Sequence, residues 1–394
     1  MGGQMTSGER VLAALECRPP DHVPCAFMIF QALREECPAY PAFIDRQLEM
    51  GLDAVVELSS FAWGRPAVQA DLPGIPLESG PNVEVRHWRE QPDDSPLEVL
   101  CKEITTPDGS LRAEVNLTPD WSHLTQVPLF DDWLVPRSRK FLVETREDLA
   151  ALRHLLTPPS SDAEAAVARV ADEARGFAAQ RGVLLQSGWG VGLEAGVWLC
   201  GLKRLMWAAI DEPAFVDELV ALLFEWNVSR MRPVLAAGVD VFIRRGWYEG
   251  TSFWSPAQFR RFVLPSLKAE AELAHASGAK LGYINTSGTM AIVDMLVEAG
   301  VDVLIGVDPV QGAGTDLALM RDKTRGRLCL WGGVNGFVTV QRGSEAEVRH
   351  EVREAVRVLG PEGLILSPVD NVTETSESTW RNVRALIDEW QQVR

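Results

Sequence analysis

Short apolar segments, each followed by a helical stretch, recur along this chain and restrict its fold more than any other feature. Six of them lie in the second half, at residues 183–187, 239–243, 280–284, 301–306, 328–331 and 364–366. Most are apolar without alternation, which is typical of parallel strands buried on both faces. Residues 23–29 and 53–58 add two strands near the amino terminus. Eight β-α units in sequence predict an α/β fold, a closed (β/α)8 barrel of the TIM type.

Residues 70–140 differ from the rest of the chain, because Pro and Gly punctuate short alternating segments there. Residues 100–105 and 111–115 flank Pro107-Asp108-Gly109, a combination that predicts a β-hairpin. We therefore predict one barrel domain over residues 1–394 with a β-rich insertion at about residues 70–140.

The charge and the termini exclude several classes of protein. A net charge of −17 argues against nucleic-acid binding, which needs a basic face, and against anionic membrane surfaces. The sequence has neither a run of about 20 apolar residues nor a basic, then apolar, leader. Its six cysteines are scattered and form no C-x-x-C motif. These features predict a cytoplasmic protein with reduced thiols.

In a barrel, functional side chains follow the carboxyl ends of the strands. Reading those positions gives a surface of indole rings, an arginine pair and several carboxylates, suited to a small planar or apolar substrate with an anionic group. Glu249, Asp308 and Asp370 are the candidate catalytic acids and bases. The candidate substrate-binding residues are Trp189, Arg244, Arg245, Trp247, Tyr283, Asn285, Ser287, Trp331 and Asn335.

Each candidate also has a structural interpretation. Arg244 and Arg245 could pair with Asp240 and Glu249 at the barrel rim, since partly buried charges are usually paired. Asp308-Pro309 could be only a turn, Asn285 and Ser287 could bond within loops, and the tryptophans could be core residues.

A dinucleotide-binding motif is the main competing signal. GVGLEA at residues 190–195 fits the pattern G-x-G-x-x-A between a strand and a helix. Such a site also needs an acidic residue at the end of the next strand, whereas Asp211 falls between two predicted helices. The six histidines form no metal-ligand cluster in the sequence.

Several segments resemble the uroporphyrinogen decarboxylase superfamily, which includes the corrinoid-dependent methyltransferases. They are SGERVLAAL at 7–15, PDHVP at 20–24, SPAQFRRFVLP at 255–265, EAGVD at 298–302 and LWGGVN at 330–335. The resemblance covers about residues 7 to 390 in motif order and spacing. It implies a TIM-type barrel, a homodimer and, for the methyltransferase branch, a corrinoid protein as partner.

The resemblance to the methyltransferase branch also implies zinc held by His-x-Cys before a Gly and by a later Cys. Asn285, Ser287 and Asp370 stand at those positions here. Because zinc favours thiolate and imidazole, we expect no protein-bound zinc and no tightly bound cofactor.

The resemblance to the decarboxylase branch implies an Arg-rich amino-terminal segment and an early aspartate, but residues 23–34 contain only Arg34. The leading hypothesis is a zinc-independent enzyme acting on a small methylated or carboxylated substrate. The alternatives are a decarboxylase of a tetrapyrrole-like or other carboxylate and a non-catalytic corrinoid- or ligand-binding paralogue.

Overall fold

The computed structural model describes residues 4–63 and 78–394. The strands are β1 (Val55–Glu57), β2 (Glu84–Glu90), β3 (Val99–Thr106), β4 (Gly109–Asn116), β5 (Ser138–Lys140), β6 (Leu184–Gly190), β7 (Val241–Arg244), β8 (Lys280–Ile284), β9 (Val303–Val307), β10 (Cys329–Asn335) and β11 (Leu364–Val369).

The helices are α1 (Ser7–Leu15), α2 (Gln31–Glu36), α3 (Tyr40–Glu49), α4 (Leu58–Trp63), α5 (Leu134–Arg137), α6 (Asp148–Arg153), α7 (Ser161–Arg181), α8 (Leu193–Cys200), α9 (Leu202–Asp211), α10 (Pro213–Ala236), α11 (Pro256–Phe262), α12 (Leu264–Ala276), α13 (Val293–Ala299), α14 (Leu317–Thr324), α15 (Glu345–Leu359) and α16 (Glu377–Val393). A π-helix spans Gly336–Gln341. None of the helices in the described ranges combines the length and apolarity that crossing a bilayer requires.

A parallel sheet organises most of the chain. Its seven strands follow the order β1-β6-β7-β8-β9-β10-β11, so each strand neighbours the next one of the sheet along the sequence. Val55 pairs with Leu184 at one end, and Leu330 pairs with Leu364 at the other. The predicted α/β fold with a TIM-type parallel sheet is confirmed at this level.

Residues 23–29, predicted as a strand, form an extended segment with two isolated parallel bridges instead. Cys25 bridges Leu366, and Ile29 bridges Asn371. A continuous ladder is interrupted because Pro24 has no N–H and because the Met28 N–H donates to the Ser367 hydroxyl at 2.7 Å.

Contacts divide the chain into two compact units. The first comprises Met1–Gly64, Val170–Ser187 and Leu235–Arg394, and the second comprises Arg65–Arg169 and Gly188–Val234. The description of one barrel domain with an insertion stays a prediction.

The second unit contains an antiparallel sheet of order β2-β3-β4-β5. Strands β3 and β4 pair from Val99–Asn116 to Thr106–Gly109, which confirms the predicted hairpin. Thr106 closes the turn, since its hydroxyl donates to the Gly109 carbonyl at 2.9 Å.

The dinucleotide motif also lies in the second unit. Gly192 directly precedes α8, and Asp211 is the last residue of α9. Asp211 therefore does not occupy the end of a strand, where a dinucleotide site needs its acidic residue.

One face of the parallel sheet, which we call the inner face, packs on a buried apolar cluster that includes α1. The cluster contains Leu184, Val241, Ile243, Ile284, Val303, Ile305 and Ile365 from the strands and Val11, Ala14 and Leu15 from α1. Because side chains alternate along a strand, these positions identify which face every other sheet residue lies on.

Arg10 ties α1 to the sheet through a buried ionic network. Its Nη1 donates to Asp53 Oδ1 at 2.6 Å, and its Nε donates to Asp21 Oδ1 at 2.6 Å. The second oxygen of Asp53 accepts the Cys25 N–H at 3.0 Å. Asp53 also joins the 23–29 segment through its own N–H, which donates to the Cys25 carbonyl at 2.8 Å.

We expect Asp53→Ala to lower the free energy of unfolding by about 3–5 kcal/mol, because it leaves a buried Arg10 charge without one partner. Urea denaturation measures this loss. The control Glu49→Ala removes the exposed Arg46–Glu49 pair and is expected to cost less than about 1 kcal/mol. Equal, small effects of the two substitutions would show that the Arg10 network contributes little.

Candidate functional site

A cavity of about 430 Å³ lies in the first unit, among the residues that follow β8, β9, β10 and β11. Parallel strands bring their carboxyl ends to one edge of the sheet, where TIM-type enzymes place their active sites. The lining residues are Thr286, Ser287, Asp308, Gln311, Phe337, Gln341, Val369, Asp370, Asn371 and Thr373.

Asp308 is a buried carboxylate held by three donors. Its Oδ1 accepts the N–H groups of Val310 and Gln311 at 2.7 and 2.9 Å, which closes the Asp-Pro turn. Its Oδ2 accepts the side-chain amide of Asn335 at 2.7 Å. Asp308 is therefore both a turn residue and a fixed negative group at the cavity wall.

Asn335 connects the cavity wall to α15. Its backbone N–H donates to Glu351 Oε2 at 3.0 Å, and the Thr339 hydroxyl donates to Glu351 Oε1 at 2.6 Å. Burial raises the pKa of Glu351, and these two hydrogen bonds partly offset that effect. Glu351 thus anchors the π-helix that carries Phe337 and Gln341 into the lining.

Asp370 follows β11 in the left-handed region of backbone space, with a φ of 67°. Aspartate tolerates this conformation better than most residues with a β-carbon. Its exposed side chain borders the cavity. Asp308 borders the same cavity and follows β9, which lies on the other side of β10. The structure thus brings together Ser287, Asp308 and Asp370, with Asn335 bound to Asp308.

Asn285 and Ser287 follow β8. The Asn285 amide nitrogen donates to the Gly246 carbonyl at 2.7 Å, and the Ser287 hydroxyl lies 2.6 Å from that of Ser252. The Asn285 Oδ1 is buried and has no hydrogen-bond partner among the described residues. Gly250 is required beside them, since a β-carbon there would lie 2.0 Å from the Ser287 carbonyl oxygen.

The side chains of Asn285, Ser287 and Asp370 do not make a zinc donor set. They offer an amide, a hydroxyl and a single carboxylate, and of these only the carboxylate is among the thiolate, imidazole and carboxylate groups that hold zinc in proteins. Over residues 4–63 and 78–394, no group of three or more His, Cys, Asp or Glu side chains is arranged to hold a metal ion.

Arg244, Glu249 and Tyr283 form a separate, fully buried cluster with Glu270 of α12. Arg244 donates to Glu249 and to Glu270, each at 3.0 Å, and the Tyr283 hydroxyl donates to Glu249 at 2.9 Å. Burial opposes the charge of Arg244, but the two carboxylates outweigh it and raise its pKa. Arg244 follows Ile243 of the inner face, so its side chain lies on the helix-facing side of the sheet.

Of the ion pairs considered as the structural interpretation of the arginines, the one between Arg244 and Glu249 is present. Glu249 is a partner of Arg244, whereas Asp240 accepts the Leu185 N–H at 2.7 Å. Arg245 lies over the Trp247 ring, with its guanidinium carbon 4.6 Å from the ring centre.

Trp331 is a member of the inner-face cluster and donates to the Ala26 carbonyl at 2.8 Å. The side chain of Trp189 lies outside the described residues. Ligand contacts of these tryptophans, and of Arg244, Arg245, Trp247, Glu249, Tyr283 and Asn285, stay predictions.

Several residues that line the cavity do not directly follow a strand, and the sequence analysis did not predict them. Gln311 lies three residues after Asp308, and Phe337 and Gln341 belong to the π-helix. Asn371 and Thr373 follow Asp370 directly and could have been included by reading further past β11. No feature of the sequence distinguishes Glu351 as a site residue, because it lies within an ordinary amphipathic helix.

The first of two solved structures compared with the chain supports its fold. A methyltransferase from Methanosarcina mazei aligns with a TM-score of 0.60 at 16% identity, over 98% of this chain and 99% of that one. A B12-independent methionine synthase from Shewanella sp. W3-18-1 aligns with a TM-score of 0.39 at 12% identity, over 57% of this chain and 65% of that one. No curated protein sequence matches the chain.

Structures at 16% and 12% identity do not assign the chain to a family, whereas a family model does. The model for uroporphyrinogen decarboxylase (URO-D) matches residues 140–392, well over half of the chain. This range contains β6 to β11 and every residue that lines the cavity. The chain belongs to the uroporphyrinogen decarboxylase family.

Proposed function

We propose that this protein is a zinc-independent enzyme of the uroporphyrinogen decarboxylase superfamily that acts on a small methylated substrate in the 430 Å³ cavity. The observation that carries the proposal is the cavity lining. The lining contains Asp308, Asp370 and Ser287, which follow the carboxyl ends of the strands. Ser287 and Asp370 stand where the related methyltransferases have zinc ligands.

The charge of the lining favours a methylated over a carboxylated substrate. Among the ten described residues that line the cavity, Asp308 and Asp370 are the only charged ones, and both are acidic. A substrate carboxylate there would meet like charges, and no arginine or lysine among these ten residues would offset them. This disfavours decarboxylation and the anionic ligand expected from the arginine pair.

The two carboxylates differ in how they are held, which suggests different roles. Three hydrogen-bond donors fix Asp308, so it serves as a stationary negative group that orients the substrate. Asp370 borders the cavity from an exposed position and is the proposed proton-transferring group. Ser287 supplies a further orienting contact, and Asn335 holds Asp308 in position.

The proposal also covers the closure of the barrel, the partner protein, the oligomeric state and the location in the cell. The bonds from the 23–29 segment to β11 and to Asp53 support a closed eight-membered barrel. A corrinoid protein as methyl-group partner, a homodimer and a cytoplasmic location are further parts of the proposal, which rest on family membership and charge.

We expect the purified protein to hold no stoichiometric zinc, because its donor set lacks thiolate and imidazole. Elemental analysis measures this. The triple variant Asn285→His, Ser287→Cys, Asp370→Cys is expected to gain about one zinc per chain, since it restores the preferred ligands. Tightly held zinc in the unaltered protein would contradict zinc independence, and a triple variant without zinc would contradict the assignment of these positions.

We expect Asp370→Asn to lower kcat by about 10²- to 10⁴-fold with little change in KM, as loss of a general acid or base does. Turnover is followed by mass spectrometry with a panel of methylated amines, alcohols and sulfides and with a reduced corrinoid supplied as the methyl acceptor. Asp172→Asn is the matched control, because Asp172 is an exposed residue of α7. Binding of a panel member without turnover in the unaltered protein would identify a non-catalytic binder instead.

A further inference from the structure

Two buried oxygens, one on Glu57 of β1 and one on Gln186 of β6, have no role in the site described above. Glu57 is the last residue of β1, and it pairs in register with Gln186 of β6. Glu57 is only 8% exposed. Both strands run parallel to β8–β11, so Glu57, as the last residue of β1, lies toward the edge of the sheet where the cavity lies, with Gln186 beside it.

Both side chains project from the inner face. Val55 packs against the inner-face cluster and Leu184 belongs to it, and Glu57 and Gln186 each follow by two residues. Alternation along a strand therefore directs all four side chains to the same side. Neighbouring strands lie about 4.8 Å apart, so one small group can reach both polar side chains.

One oxygen of each side chain lacks a partner. Glu57 Oε1 accepts the hydroxyl and the N–H of Ser59 at 3.0 and 3.3 Å. Glu57 Oε2 and Gln186 Oε1 are buried and have no hydrogen-bond partner among the described residues. Buried acceptors are nearly always satisfied, so this pair calls for a donor from outside the described chain.

The backbone of Glu57 is held in place, since its N–H donates to the Tyr40 hydroxyl at 2.8 Å. Burial raises the pKa of the Glu57 carboxyl to about 7, with the hydrogen bonds from Ser59 and the nearby Gln186 amide opposing the rise. The cost of ionising this carboxyl is what a nearby cation would remove.

We infer that Glu57 and Gln186 form a subsite for a protonated amine, which donates one N–H to each unpartnered oxygen. A hydroxyl has a single donor and satisfies one acceptor only, whereas an ammonium has several and also balances the Glu57 charge. The inference rests on the proposed function in one respect, that the ligand enters at this edge of the sheet. It narrows the methylated substrate to one that carries an amine.

The test measures binding of methylammonium chloride and of tetramethylammonium chloride by saturation-transfer NMR at equal ionic strength. Tetramethylammonium carries the charge but no N–H donor. We expect saturable, millimolar binding of methylammonium, about the strength that two heavy atoms can give, and no matching binding of tetramethylammonium. Binding should weaken at least about tenfold in Glu57→Gln, where a charge-assisted hydrogen bond becomes neutral, and also in Gln186→Met.

The exposed Glu49→Gln serves as the matched control and should bind as the unaltered protein does. Equal binding of methylammonium by Glu57→Gln, equal binding of tetramethylammonium, or no saturable binding of methylammonium would each overturn the subsite. Loss of binding in Asp370→Asn but not in Glu57→Gln would place the amine in the cavity, which contradicts the subsite and leaves the proposed function standing.

Discussion

Parallel pairing of the strands is the constraint on which the site depends. Because β1 and β6–β11 all run in one direction, every loop that follows a strand in this sheet leaves the same edge. Ser287, Asp308 and Asp370 are up to 83 positions apart in sequence (370 − 287), yet each follows a strand and reaches one cavity. The Arg10–Asp53 network supports this arrangement from α1, where it also holds the 23–29 segment.

Alternation of side chains across the sheet divides the polar residues between two tasks. Arg244 lies on the helix-facing side, where Glu249 and Glu270 neutralise it in a fully buried cluster. Glu57 and Gln186 lie on the inner face, where each has an oxygen without a partner among the residues that the structure describes. Removing one member of the first group leaves a buried charge uncompensated, whereas the second group has hydrogen-bonding capacity available for a ligand.

The sequence predicted the fold class and three of the cavity residues because both depend on local pattern, namely apolar runs and the polar residues just after them. It did not predict Phe337, Gln341 or the supporting Glu351, because a π-helix and a contact from α15 bring them to the site. Because side chains alternate along β7, an inner-face position for Ile243 predicts that the side chain of Arg244 lies on the opposite face. Residues 23–29 were predicted as a strand because apolarity does not reveal where Pro24 and the Ser367 hydroxyl interrupt a ladder.

A crystal structure of the protein with the small molecules that co-purify with it tests the central claim most directly. We expect ligand density in the cavity, with a polar group of the ligand within hydrogen-bond distance of Asp308 or Asp370. Ligand density confined to the second unit or to the Arg244 cluster, with only water beside Asp308 and Asp370, would contradict the account.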